Sequence, residues 1–265
     1  MKVYLRYLKS ERLASLLFAI ALFGCGYILI VLYPSFAKIQ AFKDYIEAMP
    51  SFLKAFLGEE IIDFTTLKGF LAVEYFNTTW LFITGIYSCL FAGSLVAEET
   101  EKKTLEILFS TALTRTGYIL AKYAGFLTLL AFLAIASFLG IYLGMWQIGE
   151  KIDEGILFYA FFSGTICMAT IGSIGLLFSC VFNEQRLACS VTMILFFLLY
   201  IFNLIAMLLE QYRILEYFSL FHYYDASKIF KREAIYWPDI GILIGVFTIM
   251  LMSSIFIFRR KEIYL

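Results

Sequence analysis

Hydrophobic residues in this chain come in long unbroken runs, not in the alternating pattern of strands. Six stretches hold no Asp, Glu, Lys or Arg: Leu13–Ala37, Tyr75–Ala97, Tyr123–Gly149, Gly155–Asn183, Leu187–Leu209 and Ile240–Phe258. Each is at least 19 residues long and dominated by Leu, Ile, Phe, Val and Ala. A helix needs about 20 apolar residues to cross the hydrocarbon core of a bilayer. Lipid offers the backbone no hydrogen-bond partners, so such runs must be helical there. The pattern predicts an all-α membrane protein with six transmembrane helices, at about residues 13–34, 75–97, 118–146, 156–182, 187–209 and 240–258.

The connections carry patterns of their own. In residues 1–12, Lys2, Arg6 and Lys9 share one helical side and Val3, Tyr4, Tyr7 and Leu8 the other. That is the signature of a short N-terminal interfacial helix; a plain positive flank that orients the first span accounts for the same residues. In the connection 35–74, apolar residues recur at Ile39, Phe42, Ile46, Met49, Phe52, Leu53, Phe56 and Leu57. This spacing predicts two short amphipathic helices broken at Pro50, with Thr65 or Thr66 capping the helix that enters span two. The connection 210–239 is crowded with aromatics, which suit a membrane interface, and is expected to be partly re-entrant. Glu150–Glu154 and Glu184–Arg186 are tight turns. Gly140 with Gly144 and Gly241 with Gly245 form GxxxG patterns, and Gly172 lies near Gly175, as close helix contacts require.

Composition narrows the picture. The chain has 265 residues, 62% of them hydrophobic, and a mean hydropathy of +0.85. The spans use more than half of it, which leaves one membrane domain and no segment long enough for a soluble one. Equal numbers of basic and acidic residues, 21 each, argue against nucleic acid as a partner. All five cysteines fall in apolar runs without a CxxC, so neither a disulfide framework nor a metal site is expected. The single His222 cannot form a histidine cluster. The first apolar run is too long for a signal peptide and no A-x-A-like site follows it, so it is expected to remain as span one.

Charge also sets orientation. With six spans, both termini share a side. That side holds twelve basic residues (Lys2, Arg6, Lys9, Arg12, Lys102, Lys103, Arg115, Lys122, Arg186, Arg259, Arg260 and Lys261) against seven acidic ones. The longer opposite side holds nine basic and fourteen acidic. The positive-inside rule then predicts a multi-pass plasma-membrane protein with cytoplasmic N- and C-termini.

The sharpest signal is Glu98–Arg115, EETEKKTLEILFSTALTR, after span two. A helical wheel puts Leu105, Leu108, Phe109, Ala112 and Leu113 on one face and Glu99, Lys103, Glu106 and Ser110 on the other, with Ile107 at the polar edge. This predicts an amphipathic helix along the membrane surface over 98–115, its polar face open to a soluble partner. Within it, Glu98-Glu99, Thr104-Leu105-Glu106, Ser110 and Leu113-Thr114-Arg115 resemble the cytoplasmic signature of ABC-2-type permeases, the six-span membrane subunits of one class of ABC exporter. Tyr33-Pro34 to Phe76, the Phe221–Trp237 connection and the ending Phe258-Arg259-Arg260-Lys261-Glu262-Ile263 are also similar to that family. Two positions depart from it: Lys103 stands where the family commonly has Gly, and Ala112 where it commonly has Pro.

The resemblance implies that this segment is a coupling helix docking on a separate ATPase subunit. Glu98, Glu99, Lys103, Thr104, Leu105, Glu106, Ile107, Ser110 and Arg115 are then the coupling residues. It implies a second permease subunit, in a homodimer or heterodimer, and a pathway bordered by spans two and five. Polar residues there, Asn77, Thr84 and Ser88 in span two and Thr192 and Asn203 in span five, are the pathway-lining candidates; hydrogen bonding between helices within one subunit is the competing role.

No GxxxxGK[ST] phosphate loop occurs. The chain is therefore expected to bind no cofactor, with ATP and Mg on the partner. No catalytic motif is present, and ionisable residues lie only at span edges: Glu74, Glu98 and Lys122. A secondary carrier or channel would show buried charges or internal repeats, and a membrane-embedded enzyme or assembly factor a catalytic constellation. The reading is a transporter subunit in membrane lipid, not an enzyme.

Overall fold

The computed structural model describes residues 2–37, 66–105 and 114–261. Among them there is no strand, and six helices are long and apolar enough to cross a membrane. Span one is Lys2–Ala37, span three Arg115–Ile148, span four Glu154–Val181, span five Gln185–Leu208 and span six Trp237–Arg260. At 1.5 Å per residue, even the 24-residue span five is about 36 Å long, enough for a hydrocarbon core of about 30 Å. The two amphipathic helices expected around Pro50 lie outside the described residues.

Span two is built from three segments in line: Leu67–Phe70, a π-helical stretch Leu71–Trp80, and Leu81–Ser94. Thr66 caps it, its side chain accepting a hydrogen bond from the Gly69 amide at 3.2 Å. The helix starts earlier than the charge-free run suggests. Glu74 bounds that run and Lys68 lies a further turn and a half back, satisfied by an ion pair with Glu233 of the 210–239 connection. Ten π-helical residues are unusual, since such turns are normally single. Thr78 and Thr79 reinforce the wide turns by donating to the carbonyls five residues back, Val73 and Glu74, at 3.0 and 2.9 Å.

Spans two and four are the buried centre, with spans one, five and six on the flanks. Span one lies along span three, span six along span four, and span five against spans two and four. Small residues permit the closest approaches. A Cβ on Gly140 would stand 2.3 Å from the Phe23 carbonyl oxygen, and one on Gly144 2.8 Å from Ile30 Cβ. Gly175 of span four sits against the Gly93 backbone of span two. Gly241 and Gly245, by contrast, face open space. The flanks expose Leu13, Leu17, Ile20, Ile194, Ile201, Ile249 and Met252, as a surface in contact with lipid does.

Residues 2–12 do not form a helix of their own. They are the first turns of span one, which runs unbroken for 36 residues, about 54 Å, and so exceeds the full bilayer thickness. The expected faces are present, but the apolar one covers span three and not lipid: Tyr4 Oη lies 3.0 Å from Thr128 Oγ1, and Tyr7 lies on Gly125.

The 210–239 connection is built into the bundle. It comprises a 3₁₀ segment Glu210–Phe218, a turn, and the short helix Ala226–Arg232 capped by Asp225. Leu220, Phe221, Tyr224, Ile229 and Phe230 are buried. Phe221 packs on Phe196 and Tyr200 of span five, and Phe230 on Phe76 of span two.

Candidate functional site

On the face carrying both termini, the start of the Glu98–Arg115 segment meets spans three, four and five. Span two ends in a turn at Leu95–Val96, followed by the short helix Ala97–Glu101. The hydroxyl of Ser179, fully buried in the last turn of span four, accepts from the amides of Val96 and Ala97 at 2.8 and 2.9 Å. A helix start leaves its first amides without partners, and this side chain supplies one.

The acidic residues of that helix then reach three ways. Glu99 forms an ion pair with Lys122 of span three at 2.7 Å and accepts a hydrogen bond from the Tyr118 hydroxyl. Lys122 is 7% exposed, and its ammonium also lies over the rings of Tyr7 and Tyr118. Glu101 accepts from the backbone amide of Gln185 at 2.8 Å, so it caps the start of span five. Glu98 pairs with Lys102 one turn on, at 2.6 Å, which holds the exposed Lys102 ammonium above its ordinary pKa.

A turn at Lys102–Lys103 ends the helix. A single helix over 98–115 is therefore not what the structure shows. Lys103 adopts φ +53°, the left-handed conformation that disfavours a Cβ. Thr104 folds back, its amide donating to the Glu99 carbonyl at 3.0 Å, and Leu105 is buried. Glu106, Ile107 and Ser110 lie outside the described residues. The strain at Lys103 explains why Gly suits this position. Lys103→Gly is expected to stabilise the folded chain by up to about 1 kcal/mol, read as a raised melting temperature in detergent, whereas Lys103→Val should lower it.

The far end of the segment is anchored separately. Thr114 is extended and caps span three through the Gly117 amide, so Arg115 is the first residue of that span and not the end of a preceding helix. The Arg115 guanidinium donates to the carbonyls of Phe258, Arg259 and Lys261, at 3.3, 2.9 and 2.7 Å, and so caps the end of span six. Lys261 in turn donates to the carbonyls of Cys180 and Phe182 at the end of span four. Burial pushes the Lys261 ammonium below its ordinary pKa. Tyr118 stacks on Phe258. Both ends of the segment are thus fastened to spans three to six by charged groups on helix ends, where cations suit C-termini and anions N-termini.

Of the expected coupling residues, the structure brings Glu98, Glu99, Lys103, Thr104 and Leu105 together at one end and places Arg115 at the other. Tyr118, Ser179, Gln185 and Glu101 were not anticipated; only the familial ending pointed to Lys261.

The polar residues expected to line a pathway lie inside the subunit. Thr84, Ser88 and Thr192 are buried, Asn203 nearly so, and Thr84 and Thr192 donate to carbonyls one turn back. Asn77 is half-buried and binds Ser227 Oγ and the Ala226 amide of the 210–239 connection, at 2.9 and 3.3 Å. A pathway between two subunits is lined by side chains that each subunit leaves exposed, and these are not.

A strand-free bundle of six helices long and apolar enough to cross a membrane, with charged anchors at one end, defines the class among the described residues: a polytopic helical membrane protein. The chain belongs to the ABC-2 transporter family; the family model described as ABC-2 family transporter protein matches residues 6–263. It is a membrane permease of an ABC transporter. Permeases of this family work with ABC ATPase partners. No curated protein matches the chain.

Proposed function

We propose that this permease is the membrane subunit of an ATP-driven exporter in the plasma membrane, with both termini cytoplasmic. Two such subunits enclose the pathway, and two ATPase chains hold ATP and Mg. The observation that carries the reading is the double anchoring of the 98–115 segment. Its start is bonded to spans three, four and five, and its end to span six, which is bonded back to span four. A partner that pushes on the segment therefore moves the ends of four spans. A surface helix without a partner has no need of such fastening. Glu106 and Ile107, on the polar side of the sequence pattern, are the contacts proposed for the ATPase.

The division of labour has a direct test. The purified chain alone is expected to hydrolyse no ATP, because it lacks a phosphate loop, and to support hydrolysis once its ATPase partner is restored. Turnover by the chain alone, with contaminants excluded, would end the reading.

A further inference from the structure

The terminal face also holds a cleft of about 210 Å³ between the first turns of span one and the Glu98–Thr104 turn. Val3, Arg6, Tyr7, Ser10 and Glu11 line one wall; Glu98, Glu99, Lys102, Thr104 and Lys122 line the other. The charges on the second wall cancel in two pairs, Glu98 with Lys102 and Glu99 with Lys122. That leaves one cation and one anion on the first wall. Neither Arg6 nor Glu11 has an ion-pair partner among the described residues. Tyr7 is 5% exposed, yet its hydroxyl has no hydrogen-bond partner there either. A buried hydroxyl without a partner is costly, and native proteins rarely leave one so.

These three groups ask for a ligand bearing both charges: an anion for the Arg6 guanidinium and the Tyr7 hydroxyl, and an ammonium with N–H donors for the Glu11 carboxylate. Position identifies the source. Span one continues from Arg6 as an exposed apolar stripe, Leu13, Leu17 and Ile20, descending into the membrane from the edge of the cleft. An acyl chain can lie along that stripe only if its headgroup sits at the level of Arg6.

We propose that this cleft binds the headgroup of a primary-amine zwitterionic phospholipid, of the phosphatidylethanolamine type, from the leaflet on the side of the termini. The phosphate accepts from Arg6 and Tyr7, and the ammonium donates to Glu11. The lipid then lies against the turn that opens the 98–115 segment, where it braces span one against Glu98 and Lys102. The proposal rests on this cleft alone, and its failure would leave the ATPase-coupling reading standing.

The test is native mass spectrometry of the full purified chain titrated with phosphatidylethanolamine, phosphatidylcholine or phosphatidylglycerol of matched acyl chains. Phosphatidylcholine keeps both charges but has no N–H donors, and phosphatidylglycerol has no cation. Phosphatidylethanolamine should bind roughly tenfold more tightly than either, the worth of one charge-assisted hydrogen bond. Glu11→Leu, which removes the acceptor as well as the charge, should erase the preference over phosphatidylcholine, and Arg6→Gln should weaken all three lipids. Equal affinities in the wild-type chain overturn the proposal without any variant. So does tightest binding of phosphatidylglycerol, or a preference that survives Glu11→Leu. Soluble phosphoethanolamine competing as strongly as the lipid would overturn the role of the apolar stripe.

Discussion

Glu99→Gln is expected to lower the melting temperature of the detergent-solubilised chain by about 10 °C, one of the largest effects of any single polar substitution. The reason is what it leaves behind. Lys122 is buried at the junction of spans one, two and three, and Glu99 is its counter-ion at 2.7 Å. Removing one partner of a buried pair strands the other charge, at a cost of about 3–5 kcal/mol. The Tyr118 hydroxyl loses its charged acceptor in the same step. Replacing both members is different. Glu99→Gln with Lys122→Met removes both charges and should recover most of the loss, because an apolar pair in the same space is often no less stable than the ions. A cycle of wild type, both single variants and the double variant, followed by size-exclusion recovery after heating, measures this. Near-additive losses would show that the pair is not buried as described.

Gly140→Leu is the second large effect, expected from sterics alone. The new Cβ would stand 2.3 Å from the Phe23 carbonyl oxygen and 2.9 Å from the Phe23 Cα. These are backbone atoms, so no side-chain rotation relieves the clash and spans one and three must separate. Overpacking a tight core typically costs about 1–3 kcal/mol. Here the cost should lie at or above the top of that range, because membrane helices associate mainly through such packing. At Gly241 and Gly245 an added Cβ meets nothing within 4 Å in the subunit, so the matching changes to Leu should leave its thermal stability unchanged. Equal losses at Gly140 and Gly241 would contradict the packing.

The same two glycine pairs show what a sequence reveals and what it conceals. Both read as GxxxG on apolar helices, yet only the pair in span three is covered by another helix. The pattern says that a close approach is possible; which neighbour makes it depends on tertiary arrangement. The six spans were legible because absence of charge over 19 residues has few other causes. The entry to span two was legible in its cap, Thr66, although Glu74 and Lys68 break the charge-free run; the ion pair that satisfies Lys68 was not, because its partner, Glu233, is 165 residues away. The π-helical stretch has no signature in residue type, since it is a change of hydrogen-bond register. Residues 2–12 gave the right faces and the wrong neighbour, because a polar and apolar pattern looks the same against lipid as against span three.

At the site, the resemblance located the 98–115 segment and its ends. The break within it was signalled only by the Gly that the family commonly carries where Lys103 stands. A lysine gives no hint of positive φ on its own. Ser179 and Glu101 were invisible because their role is to satisfy backbone amides of other helices, that of Gln185 among them, which no spacing along the chain encodes. The polar residues of spans two and five were visible as stripes, but a stripe facing inward within the subunit reads like one facing a pathway.

The central claim is that the 98–115 segment is where an ATPase takes hold. Co-expression with candidate ATPase chains, followed by affinity purification of the wild-type permease and of Glu106→Lys and Ile107→Asp, tests it most directly. A reversed charge on a contact rim weakens association, and a carboxylate placed where an apolar side chain is buried adds a desolvation cost. The wild-type chain should retain its ATPase, while both variants insert normally but lose the partner and its stimulated hydrolysis. Retention of the ATPase by both variants at wild-type levels would contradict the account.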